Sequence, residues 1–160
     1  MDIIGVVQFA APVFARIAIG TAFLSACADR FGLWGRAGDK GVAWGNFDSF
    51  LGYTASLNPY LSPSLVPVVG WVVTMAEIVF GLMLIVGLKT RISAFFSGIM
   101  LLAFALAMTL VSGIKGPFDY SVFSAAAGCF LLVSQDSFPW SIDAWRTKAY
   151  MKREPVSDQG

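Results

Sequence analysis

Histidine is absent from this 160-residue chain. That removes His-ligated haem, the usual zinc sites and a Ser-His-Asp triad. The sequence also has no glycine-rich phosphate cradle, and no basic cluster interleaved with aromatics to suggest a nucleic-acid surface. Cysteine is scarce, and Cys27 and Cys129 form no CxxC motif. Their expected depths differ by about 20 Å, whereas a disulfide tolerates Cα atoms only about 7 Å apart. Both are therefore read as packing thiols, with Cys27 redox-active only if exposed. Charge is thin as well. Only 13% of residues are Asp, Glu, Lys or Arg, and 57% are apolar, against roughly 45–50% apolar in soluble domains.

What remains is a membrane protein. Apolar runs long enough for a hydrocarbon layer of roughly 30 Å occupy about residues 6–28, 66–87, 92–113 and 119–135. The expected fold is all-α: a polytopic four-transmembrane-helix bundle, one membrane domain over residues 1–152, with a disordered C-terminal tail at 153–160. Lys89 and Arg91 lie in the link between the second and third runs, and Arg146, Lys148, Lys152 and Arg153 follow the fourth. The opposite ends carry Arg30, Arg36, Lys40 and Lys115, with Asp29, Asp39, Asp48 and Asp119 interspersed. Basic residues favour the cytoplasmic side, so both termini are expected inside a bacterial inner membrane and residues 29–65 outside. Leu24-Ser25-Ala26-Cys27 resembles a lipoprotein cleavage pattern. Asp2, Pro12 and Arg16 argue against a signal peptide there.

Arg16 interrupts the first apolar run. Counted inward from Val6 it lies roughly 15 Å deep, and Glu77, counted back from Gly87, reaches the same depth. An isolated charge at mid-bilayer is costly and usually turns inward to pair. The central expectation is therefore a buried Arg16–Glu77 ion pair organising the bundle, with Thr74 on the same stripe. Such a pair fixes helix register. Alternatively, it forms a site in which Arg16 holds an anionic or carbonyl oxygen, such as that of a quinone headgroup, while Glu77 exchanges a proton. Gly20 and Gly81 lie one turn beyond the two charges. Ala18, Ala22 and Ala26, Ser93 and Ser97, and Ser124 and Gly128 repeat a four-residue spacing, so all these positions are expected at helix contacts.

Residues 29–65 are rich in Trp, Phe and Tyr. Trp44, Phe47, Phe50, Leu51 and Leu57 follow helical spacing and predict an amphipathic interfacial helix over 42–57, ended by Asn58-Pro59 and capping the outer mouth. A second interfacial helix is expected in "FPWSIDAWRTKAYMKR", with Ser141 as its cap and its basic residues towards anionic lipid.

Three segments, "ARIAIGTAFLSACADRFGLWG", "AEIVFGLMLIVGLKTR" and "GIKGPFDYSVFSAAAG", resemble the DoxX-like family of small four-helix membrane proteins. The resemblance covers nearly the whole chain. It draws attention to Arg16, Asp29, Arg30, Glu77, Arg91, Lys115, Asp119 and Tyr120, and implies that Asp29, Arg30, Lys115, Asp119 and Tyr120 form one outer polar cluster. The family name derives from subunits linked to thiosulfate and quinone oxidation. The resemblance therefore implies an accessory or anchoring subunit of a quinone-linked redox system, an oxidoreductase subunit at most. No cofactor is intrinsic to it; a bound quinone or a redox protein partner would supply one. The alternatives are small-molecule binding or transport in the bundle, and an assembly factor without a ligand. The expected partners are the lipid bilayer and a redox protein, with no nucleic acid; a homo-oligomer is left open.

Overall fold

The computed structural model describes residues 2–153. All regular structure in that range is helical: α1 (Ile3–Arg30), α2 (Phe47–Leu57), α3 (Val66–Val86), α4 (Thr90–Ser112), α5 (Lys115–Asp119), α6 (Val122–Val133) and α7 (Ile142–Arg153). Of the tail expected at 153–160, residue 153 closes α7 and residues 154–160 lie outside the described range.

Three helices, α1, α3 and α4, are long and apolar enough to cross a membrane, in agreement with the first three apolar runs. The fourth run, expected over 119–135, is shortened at both ends. Ser121 adopts a left-handed backbone (φ +56°), which separates α5 from α6. The apolar helix then has 12 residues, about 18 Å at 1.5 Å per residue.

The bundle is built from two close pairs, α1 with α3 and α4 with α6, joined where α3 meets α4 and α1 meets α6. The α1–α3 crossing depends on glycine. A Cβ on Gly20 would stand 2.7 Å from the Gly81 carbonyl oxygen and 2.7 Å from Ile85 Cγ1. The two backbones are therefore in contact, as small residues permit in lipid. Gly20→Val should destabilise the protein by about 1–3 kcal/mol or more through overpacking. The outward-facing Ala18→Val should stay within about 0.5 kcal/mol. Melting both variants in one detergent checks this, and equal losses would place the crossing elsewhere.

The alanine stripe does not make that contact. The buried face of α1 is Pro12, Arg16, Gly20, Phe23, Cys27 and Arg30, whereas Ala18 and Ala22 are exposed. Residues two apart in a helix differ by about 200°, so only one of the two stripes can face the bundle. On α6 the inward stripe is Ala126, Cys129 and Leu132, and Ser124 is exposed.

α3 ends in a Schellman turn. Gly87 is left-handed (φ +69°), and the Leu88 N–H reaches the Met83 carbonyl at 2.9 Å. The predicted outer helix is real but begins at Phe47 rather than Val42. Gly45 is left-handed (φ +68°) and Asn46 caps the helix, its side chain accepting the Ser49 N–H at 2.8 Å. α2 seats on Gly70 of α3, where a Cβ would collide with Leu51. At the opposite end, Ser141 caps α7 as expected, its hydroxyl accepting the Ala144 N–H at 2.9 Å.

Candidate functional site

Two groups of buried polar residues lie along α1. At the end capped by α2, the last turns of α1 bring in Cys27, Asp29 and Arg30, and α3 brings in Thr74 and Glu77. Arg30 forms a salt bridge with Glu77, and both are almost fully buried. Arg30 Nη1 also donates to Thr74 Oγ1 at 2.8 Å, and the Thr74 hydroxyl in turn donates a hydrogen bond to the Gly70 carbonyl at 2.8 Å. The Cys27 thiol lies 3.5 Å from Glu77 Oε2 and donates towards it. Guanidinium, carboxylate, hydroxyl and thiol thus satisfy one another, and only Arg30 Nε among these polar atoms is both buried and without a partner.

An aromatic lid covers this quartet. The Phe50 ring centroid is 3.8 Å from Arg30 Cζ and the Trp44 centroid is 5.3 Å away, so the cation rests on π faces. Trp44 packs edge-on against Phe50 with centroids 5.4 Å apart. Asp29 sets the lid in place. Its carboxylate accepts the backbone N–H groups of Ala43 (2.8 Å), Gly45 (3.0 Å) and Trp44 (3.4 Å), which draws the loop back over its neighbour Arg30.

The expected Arg16–Glu77 pair does not form. Arg16 is 1% exposed but donates from Nη1 to the Pro139 carbonyl at 2.9 Å and from Nη2 to the Trp140 carbonyl at 2.7 Å. The reason is register. Gly20 meets Gly81 and Cys27 meets Thr74, which sets Glu77 opposite Leu24 and Arg16 beside Gly87, whose Cβ would stand 3.1 Å from Arg16 Cζ. Depth counting treated Val6 and Gly87 as level. Instead, the first turns of α1 run past the end of α3, and their apolar side chains Ile3, Ile4, Val7 and Phe14 are exposed. The partner of Glu77 is therefore the arginine at the far end of α1.

Around Arg16 lies a second fastening that sequence reasoning missed. Asp143, in the first turn of α7, accepts the N–H groups of Lys89 (2.8 Å) and Thr90 (2.7 Å) and so caps α4 from outside. Its own N–H donates to the Gly87 carbonyl at 3.0 Å. The available signal was that "GLKTR" opens a helix with no Asp or Asn of its own. Trp140 is left-handed (φ +48°), a strain of order 1–3 kcal/mol for a bulky residue. The Arg16 bonds on either side of its peptide hold it there. Arg91, also singled out by sequence, donates to the Gln135 carbonyl at 2.7 Å, and its Cζ lies 5.9 Å from the Phe138 ring centroid.

The expected outer cluster divides into two parts. Asp29 and Arg30 turn inward, whereas Lys115 and Asp119 pair with each other on the exposed rim, where Tyr120 is 76% exposed. That rim approaches the lid: the Tyr53 phenol on α2 is pushed above its ordinary pKa, first by burial and then by the nearby Tyr120. Both cysteines are buried and free. Among the described residues, no group of three or more His, Cys, Asp or Glu is placed to hold a metal ion.

A helical bundle with three long apolar helices and a shorter fourth, closed around two buried arginines, defines a small polytopic membrane protein. The DoxX family model matches residues 11–110, well over half of the chain, and the protein belongs to the DoxX family. The matched stretch carries Arg16, Arg30, Thr74 and Glu77, but not the 139–143 segment that Arg16 and α4 hold. No curated protein and no solved structure matched the sequence.

Proposed function

We propose that the protein is an accessory, membrane-anchoring subunit of a quinone-linked redox system in the bacterial inner membrane, with its basic end in the cytoplasm. One observation carries the reading: the Arg30–Glu77 pair is closed by its own neighbours beneath Trp44 and Phe50. The interior charges serve to lock helices together, which leaves the surface to meet a partner. The capped end offers that surface, with exposed Trp34, Tyr60, Tyr120 and the Lys115–Asp119 pair. Two shallow grooves also lie on the outside, one beside Trp34 and Ser25 and one between Leu51 and Pro67, and neither is lined by Arg30 or Glu77. The redox assignment draws on the family resemblance.

Mass spectrometry of the gently extracted protein tests it. The expected result is a cofactor-bearing redox protein in near-stoichiometric amount, with quinone in the lipid extract. A chain that travels alone, or with a small molecule that Arg30→Met abolishes, would replace this reading with ligand binding. The unpartnered Arg30 Nε favours that second reading, because it leaves a buried donor for a carbonyl or anionic oxygen.

A further inference from the structure

The first turn of α7 is fastened on every side. Arg16 holds the carbonyls before it, Ser141 caps it, and Asp143 binds both Gly87 and the start of α4. Beyond that turn, α7 has no substantial packing partner among the described residues. A helix of 12 residues is marginal in water on propensity alone. Its remaining turns therefore need a surface from outside the chain, and the exposed side chains indicate its chemistry. Trp140 and Trp145 are 77% and 71% exposed, and Arg146, Lys148 and the nearby Lys89 are exposed too. Of the acidic groups at this end among the described residues, Asp143 is spent on α4 and Asp2 on capping α1 at Gly5, which leaves Asp136 as an exposed countercharge. The left-handed turn at Trp140 presents its indole edge-on to Phe9, with ring centroids 5.3 Å apart, beside the exposed apolar start of α1.

We propose that this end of the protein is a docking surface for anionic phospholipid headgroups. The indoles of Trp140 and Trp145 seat in the headgroup layer. Arg146, Lys148 and Lys89 meet the lipid phosphates, and Arg16 sets the height of the segment relative to the bundle. Indole and cation together match an anionic interface, where each nearby Lys or Arg adds attraction. The inference is independent of the accessory-subunit reading and survives its failure.

Amide hydrogen exchange of the full chain tests the proposal in nanodiscs of phosphatidylcholine alone and of phosphatidylcholine with phosphatidylglycerol. Exchange over residues 142–149 should slow by roughly tenfold or more when phosphatidylglycerol is present, the scale expected for two surface cations. The double substitution Arg146→Gln/Lys148→Gln should erase that difference while amides of α3 and α4 keep their protection. Equal exchange in the two lipids, or a lipid dependence that survives the double substitution, overturns the proposal. So does full protection in dodecylmaltoside without phospholipid, or protection that appears only when a soluble protein is added.

Discussion

Replacing Glu77 with Gln should cost the protein about 3–5 kcal/mol, the loss typical of a buried ion pair broken on one side. Arg30 would keep its charge beneath Trp44 and Phe50 with only Thr74 to receive it. Arg30→Met should cost a similar amount, because Glu77 would retain only the Cys27 thiol. Making both positions Met should recover most of the loss, since apolar replacement of a whole buried pair is often neutral or stabilising. Thermal unfolding of the single and double variants in one detergent gives the coupling. Arg16 shares no partner with Glu77, so Arg16→Met and Glu77→Gln should add within about 0.5 kcal/mol. Strong coupling between those two, with none between Arg30 and Glu77, would reverse the assignment of partners.

Arg16→Met should also be severe, at about 3–6 kcal/mol, because two charge-assisted hydrogen bonds worth roughly 1.5–3 kcal/mol each disappear. Its effect should differ in place. The variant strands the carbonyls of Pro139 and Trp140 and frees Trp140 to leave its left-handed conformation, so residues 140–149 should lose exchange protection while the Arg30–Glu77 end keeps it. Arg16→Lys preserves the charge but not the planar fork that reaches two carbonyls at once, and should fall between Met and the parent chain. Unchanged exchange at 140–149 in Arg16→Met would mean that the segment is held by Asp143 and Ser141 alone.

The fold was readable in the sequence because lipid imposes one requirement over a long stretch: apolar side chains on a backbone that satisfies itself. Three runs of that kind became α1, α3 and α4. The outer aromatic helix and the Ser141 cap were readable for local reasons, namely helical spacing and a hydroxyl ahead of a first turn. Gly20 and Gly81 were correctly placed at a contact, since a missing Cβ is a direct statement of proximity. The partner of Glu77 was not readable from depth. Counting assumes that neighbouring helices begin at the same level, and the first turns of α1 run past the end of α3. Hydropathy cannot detect that offset, because the overhanging residues are as apolar as the rest. Arg30 was recognised as a polar residue of the outer rim. Its turn inward is set by Asp29 gathering the Ala43–Gly45 backbone, a contact between segments that no periodicity encodes. Asp143 escaped notice for the same reason.

Both hydrogen-bond acceptors of Arg16 come from residues more than 120 positions later in the chain. During synthesis the guanidinium therefore waits without its two acceptors, near the level where α3 ends, until nearly the whole polypeptide has emerged. The loop-end arginine is relieved much sooner, as soon as the next span arrives. Assembly thus closes from the capped end first, and the final stretch of the polypeptide completes the insertion of the first.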